Sequence, residues 1–245
     1  MNPNMKPLTS LEHPLVKYWA KLKSSASFRK EHNRILIEGI KLIQDVAKTH
    51  KILRLISTNA QCDIQADESF FISQPILNKL TSVETSDGML AEIELPHMAP
   101  LTTFTKIVVL DRIQDPGNLG TIIRSALSLG WEGVYLLPGC CDPYNDKALR
   151  SAKAATFNLP LYSGSWEELA AACKKNGAEI VVSDMNGEDV KTAHFAKIAL
   201  VLGNEGQGVS ISKDVAHSKV KIPMHGSFDS LNVAIAGAIL MYTLS

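Results

Sequence analysis

Residues 107–111 read Ile-Val-Val-Leu-Asp, and residues 112–130 continue as RIQDPGNLGTIIRSALSLG. The first run is apolar without alternation, the mark of a strand covered on both faces. The second opens with turn chemistry, Asp-Pro-Gly-Asn at 115–118, and then changes period. Asn118 stands where a helix N-cap belongs. From there Thr121, Arg124, Ser125 and Ser128 share one polar face, with Ile122, Ile123, Ala126 and Leu129 largely opposite, which predicts an amphipathic helix over 118–129. Strand, turn and helix in this order form one unit of an α/β domain.

The unit repeats downstream. VYLLP at 134–138, EIVVSD at 179–184, IALVLG at 198–203 and VKIPM at 220–224 read as further strands, and helices are expected at 165–176 and 229–244. Buried strands alternating with helices predict a parallel sheet. In such sheets ligands bind where strands end and loops begin. Upstream, LPHMAPLTTF at 95–104 carries two prolines and no charged side chain, and reads as a linker. Before it, helices are expected at 13–24 and 37–49, with strands at 52–57, 69–73 and 89–95. The expected organisation is a small α/β domain at 1–97, a linker at 98–105 and a larger α/β domain at 106–245.

Composition bounds the function class. The chain has 245 residues, 45% hydrophobic and 20% charged, which excludes a collagen, an extended disordered chain and a disulfide scaffold. Lys plus Arg equals Asp plus Glu at 25 each, at first sight an argument against a nucleic-acid partner. The total hides a segregation. Residues 1–60 hold 11 Lys/Arg against 4 Asp/Glu, a net of +7; residues 61–100 hold 1 against 7, a net of −6; residues 101–245 hold 13 against 14. The basic head includes Lys17, Lys21, Lys23, Arg29, Lys30 and Arg34.

The four cysteines, Cys62, Cys140, Cys141 and Cys173, show no CxxC or metal-finger spacing. No metal is expected, and the usage fits a reducing compartment. The N-terminal residues lack an apolar signal core. The longest strongly apolar stretch, 233–241, falls well short of the roughly 20 residues of a membrane span. A soluble, cytoplasmic protein is expected.

Two more strand-end loops carry chemistry. LGNEGQG at 202–208 sets three glycines around Glu205 after a buried strand. It is neither the Rossmann pattern nor a phosphate-binding P-loop, and a carboxylate inside the turn disfavours a di- or triphosphate. A neutral or cationic ligand suits it better. The third loop follows Ile222-Pro-Met224 and leads through Ser230-Leu-Asn-Val-Ala234 into a helix expected to be apolar on every side. Such a helix suggests burial in the domain or against another subunit.

Three motifs in order, each after a strand, resemble the SpoU (TrmH-like) RNA ribose 2′-O-methyltransferases of the SPOUT superfamily. They are Asn118-x-Gly-x-x-x-Arg124-x-Ala126, Gly203-Asn-Glu-Gly206-x-Gly208, and Ile222-Pro-Met224 with Ser230-Leu-Asn-Val-Ala234. LTSLEHPLVKYWAKL and ILIEGIKLI resemble the L30e-like substrate-binding domain that precedes many members, so the likeness spans nearly the whole chain. Ser86-Asp-Gly88 departs from the Pro-Gln-Gly of many relatives.

The resemblance implies S-adenosyl-L-methionine as cofactor and RNA as substrate, rRNA ahead of tRNA. It implies a homodimer through the C-terminal domain and a C-terminal trefoil knot, which pattern rules alone would not give. It assigns Asn118, Arg124, Glu205, Ser230 and Asn232 to the active site. It assigns Leu202, Gly203, Gly208, Ile222, Met224 and Leu231 to the cofactor. The basic head is expected to hold RNA. The alternative is an RNA-binding or ribosome-assembly protein that keeps the fold without catalysis.

Overall fold

The computed structural model describes residues 5–61, 63–204, 206–211, 215–224 and 230–245. Contacts divide the chain into two compact units, Met1–His97 with Tyr144–Asp146, and Met98–Pro143 with Lys147–Ser245.

The first unit runs β1 (Met5–Leu8), α1 (Pro14–Ser24), α2 (Ala26–His32), β2 (Arg34–Glu38), α3 (Ile40–Val46), β3 (Ile52–Ser57), β4 (Glu68–Ile72), α4 (Gln74–Leu80) and β5 (Met89–Glu94). Its mixed five-stranded sheet has the order β1-β4-β3-β5-β2. Helix α1 starts on Pro14, where the missing N–H costs nothing, and the His13 ring accepts from the Leu15 N–H. Val16, Trp19 and Leu22 recur at helical spacing and are fully buried against Ile56, Phe70 and Ile76. The helix expected at 37–49 is shorter. Its first part is strand β2, paired antiparallel with β5 from Arg34↔Glu94 to Glu38↔Leu90, and α3 then begins with Asp87 Oδ2 accepting from the Ile40 N–H. The apolar residues of ILIEGIKLI satisfy both periods, and pairing with β5 decides for the strand.

The second unit contains β6 (Lys106–Asp111), α5 (Pro116–Ser128), β7 (Gly133–Leu136), α6 (Asp146–Ala152), α7 (Ala155–Asn158), β8 (Leu161–Ser163), α8 (Trp166–Asn176), β9 (Glu179–Asp189), β10 (Ile198–Gly203), β11 (Ser218–Lys221) and α9 (Val233–Thr243). The six strands pair in parallel throughout, in the order β11-β9-β10-β6-β7-β8. Ile107, Val108, Val109 and Leu110 of β6 are fully buried, as continuous apolarity predicts. Helix α8 begins with a reciprocal cap: the Ser165 hydroxyl accepts from the Glu168 N–H, and the Glu168 carboxylate accepts from the Ser165 N–H.

Three expectations are corrected. Residues 98–105 are packed into the second unit rather than acting as a free linker. The Ala99 N–H donates to Leu161 O, Asn176 clamps Thr102 and Phe104, and Phe104 is buried. Helix α5 is capped by Asp115, which accepts from the Asn118 N–H at 2.8 Å, with Pro116 as first residue; Asn118 lies inside the helix. Helix α9 is capped by Asn232. It is not covered all round: Val233, Ala234, Gly237, Leu240 and Met241 are buried, while Ile235, Ile239 and Tyr242 are exposed. Among the described residues no helix is long and apolar enough to cross a membrane.

Candidate active site

Strands β11, β9 and β10 lie side by side, and their C-terminal ends open on a cavity of about 500 Å³, a size that suits one small ligand. Strand β10 delivers Leu202 and Gly203, followed by Asn204, Gly208 and Val209. The segment after β11 delivers Ile222, Pro223 and Met224. Ser230 and Leu231 lead into α9, whose Val233 and Ala236 complete the wall. All six positions assigned to the cofactor by resemblance stand in this lining. Sequence reading missed Ser183, Asp184 and Met185 at the far side. They lie in β9, before its extension to Asp189, so no loop signal marked them. The strand-end rule applied to β9 would have found them. Asp184 accepts from Lys219 Nζ at 2.7 Å and from the Asn186 N–H; the lysine's hydrogen bond holds its carboxyl below the usual range.

The loop after β10 is held from the neighbouring strand β6. Asp111, 1% exposed, accepts from both the backbone N–H and the hydroxyl of Ser210. Arg112 sits in the left-handed region at φ 56°. From there its guanidinium donates to Gln207 Oε1 at 2.9 Å and Gly208 O at 3.2 Å, while its own carbonyl accepts from Asn204 Nδ2. Asn204 Oδ1 in turn accepts from the N–H groups of Gly206 and Gln207. A non-glycine residue at positive φ costs energy and persists only where surrounding contacts enforce it. Here those contacts fix the cavity's rim. No motif flagged Asp111 or Arg112.

Of the expected catalytic positions, Asn118 and Asn232 meet directly: Asn232 Nδ2 donates to Asn118 Oδ1 at 3.0 Å, and Asn232 Oδ1 caps α9 through Ala234 and Ile235. The first and third motifs are thereby joined at the start of both helices. Ser230 lines the cavity. Arg124, just over two turns into α5, is exposed and outside the lining. Glu205 lies outside the described residues.

The basic head divides. Lys17, Lys21 and Lys30 are exposed, and Lys17 reaches Glu12 at 2.6 Å. Arg34 is partly exposed. Lys23 and Arg29 are corrections, because the fold itself uses them. Lys23 is 11% exposed between Glu38 and Asp146. Arg29 is buried and donates to the carbonyls of Leu22 and Lys23 at the end of α1. Charge counted along a sequence does not distinguish a lysine facing water from one neutralising a buried carboxylate.

The cavity's chemistry suits S-adenosyl-L-methionine. Its walls combine apolar side chains and main chain, which suit adenine edges and ribose, with the polar side chains of Ser183, Asp184, Asn204, Lys221 and Ser230. At Gly203 an added Cβ would meet Gly208 C and O at 2.6 Å each, so that position admits no side chain. Among the described residues no group of three or more potential metal ligands exists.

Comparison with known proteins agrees with this geometry. Residues 105–242 match the SpoU rRNA Methylase family, and residues 13–91 match the MRM3-like substrate binding domain. The chain is 32% identical to the Bacillus subtilis 23S rRNA (guanosine(2553)-2′-O)-methyltransferase RlmP, over 98% of this chain and 99% of that protein. It is 27% identical to the mouse mitochondrial rRNA methyltransferase 3, over 89% of this chain and 68% of that protein. The AdoMet-bound rRNA methyltransferase from Sinorhizobium meliloti superposes with a TM-score of 0.85 at 26% identity, covering 98% and 97% of the two chains. With its second unit matched almost end to end by the family model, the chain belongs to the SpoU rRNA methylase family.

Proposed function

We propose that the protein transfers a methyl group from S-adenosyl-L-methionine to a ribose 2′-hydroxyl of ribosomal RNA. The observation that carries this reading is the cavity at the ends of β9, β10 and β11, lined by all six cofactor positions and bordered by the Asn118–Asn232 contact. RlmP, related over its whole length, carries the same reaction and RNA class in its name.

When bound, the cofactor supplies a methyl group already activated on a sulfonium. The chain's task is alignment and charge stabilisation. Main-chain groups of Gly203, Ile222 and Leu231 hold the adenosine, and Leu202, Gly208 and Met224 shape the space around it. Asn118 and Asn232 fix the starts of α5 and α9 relative to each other. A guanidinium offers donors and no acceptor, so Arg124 is cast as a donor and not as a base. It grips the phosphate beside the target ribose and stabilises the developing 2′-oxyanion. Ser230 orders the third loop or touches RNA, and Glu205 orients the loop that contains it. Lys17, Lys21, Lys30 and Arg34 offer the RNA a positive surface. Incubating total RNA with labelled cofactor, then mapping the modified ribose, is expected to place label in 23S or 16S rRNA. Label confined to protein or small metabolites would overturn the assignment.

The same reading includes a homodimer. Ile235, Ile239 and Tyr242 are exposed along α9, and α5, which packs on α9, adds exposed Leu127. An apolar helix face of this kind calls for a cover, and a second copy of the same face is the simplest one. Ile235→Asp is expected to halve the mass read by light scattering; a wild-type mass of one chain would rule the dimer out. The family's trefoil knot and a cytoplasmic site of action complete the reading. A crystal structure tests the knot, and fractionation tests the compartment. Cys140, Cys141 and Cys173 are free thiols, and burial pushes Cys141 and Cys173 up to about 11, which keeps them unreactive.

A further inference from the structure

The first unit contains a cavity of its own, about 370 Å³, lined by Leu15, Tyr18, His32, Arg34, Arg54 and Glu92. None of these residues takes part in the cofactor site. Its floor is the carboxylate of Glu92, 1% exposed. That carboxylate accepts from Trp19 Nε1 at 2.9 Å, from the Tyr18 hydroxyl at 3.2 Å and from Arg54 Nη1 at 2.9 Å. One guanidinium is enough to neutralise it, and Arg54, directly opposite in the β3–β5 register, does so. Arg34 is a second. Its Nε stands 3.9 Å from Glu92, and it spends one N–H on Asn33 O. A guanidinium carries five N–H donors, and Arg34, partly exposed, lines the pocket with donors to spare. Arg54 also donates through Nε to Glu68 at 3.0 Å, and Glu68 accepts from Lys6 Nζ; Arg34, Arg54 and Lys6 against Glu92 and Glu68 leave one positive charge in excess.

The opposite wall is aromatic. Tyr18 and His32 meet edge to face with centroids 5.5 Å apart, and Phe28 contacts both, at 5.6 and 3.9 Å. Lys21 Nζ lies 5.2 Å over the Phe28 ring. The rings are therefore fixed before any ligand arrives, while His32 remains exposed. A structural ion pair within a sheet needs neither a second arginine nor an aromatic rim.

We propose that this pocket binds one unpaired nucleotide of the RNA, its phosphate on the Arg34 guanidinium and its base against the Tyr18–His32 wall. Guanidinium forks match phosphate geometry, and aromatic faces accept any unpaired base. A base held in a duplex would not reach the wall, so the pocket selects single-stranded or bulged RNA. The inference rests on the RNA-methyltransferase reading and names where, outside the cofactor domain, the substrate is gripped.

The test uses the full-length protein with fluorescein-labelled decaadenylate RNA and, separately, its duplex with decauridylate. Single strand is expected to bind more tightly than duplex. His32→Ala is expected to raise Kd for the single strand about 5- to 10-fold, at the low end for loss of one stacking contact. Arg34→Gln is expected to raise Kd and to flatten the slope of log K against log salt by about 0.7, the share of one phosphate on a single strand. Arg54 is left intact because it neutralises buried Glu92. Calorimetric affinity for S-adenosylmethionine and the melting temperature are expected to stay at wild-type values, which separates loss of the pocket from loss of the fold. Wild-type affinity and slope in both variants would overturn the pocket, as would equal binding of strand and duplex. Absence of label in RNA with the wild-type enzyme overturns the broader reading instead.

Discussion

Arg124→Ala is expected to lower kcat about 10²- to 10³-fold, the usual loss when one transition-state donor is removed, with affinity for S-adenosylmethionine unchanged. The geometry separates the two quantities. Arg124 is exposed on α5 and does not line the cofactor cavity. No hydrogen bond or ion pair ties it to another described residue, so truncation leaves no buried partner stranded. Single-turnover transfer to RNA measures the first quantity and calorimetry the second. Arg124→Lys keeps the charge and loses the fork, and is expected to fall between. Near-full turnover by the lysine variant would reject bidentate positioning. A parallel loss of cofactor affinity would place Arg124 in the cofactor site.

Gly203→Ala is expected to weaken cofactor binding about ten- to a hundredfold, as overpacking of a close-fitted site commonly costs 1–3 kcal/mol. The added methyl would meet Gly208 C and O at 2.6 Å, and Val209 Cγ2 at the same distance. Two of these three obstacles are backbone, which cannot turn aside as a side chain does. The loop has to move, and it carries the cavity rim. Gly206→Ala in the same loop provides the contrast. Its nearest neighbour would be Asn204 Oδ1 at 3.5 Å, an ordinary contact, and a much smaller loss is expected. Equal losses in calorimetry would mean that loop flexibility matters rather than the close approach.

The parts legible in the sequence were those where local pattern and tertiary environment agree. Unbroken apolar runs such as 107–111 and 198–203 announced strands covered on both faces, and both are central in the parallel sheet. The six positions that the resemblance assigns to the cofactor all line one cavity. The failures arose where distant residues decide. RILIE carries helical and strand spacing alike until β5 pairs with it. Asn118 has the chemistry of a cap, but Asp115 stands three residues earlier with a carboxylate held below its usual range, first by Lys147 and then by the Asn118 N–H. Lys23 and Arg29 belonged to a basic run by count and to the interior by contact. Arg112 gave no signal, because its work consists of bonds to residues some 95 positions away.

That clamp reaches beyond the loop it holds. Asp111 and Arg112 end β6, and α5 begins four residues later at Pro116. The rim of the cofactor cavity and the helix bearing Arg124 are thus mounted on one short bracket at the end of the same central strand. On the proposed reading, the donor's seat and the phosphate grip would not drift independently, since a shift of β6 carries both. The enzyme would therefore keep its reach from methyl to ribose constant while its outer loops adapt to an irregular RNA, as a calliper keeps its setting when moved from one object to the next.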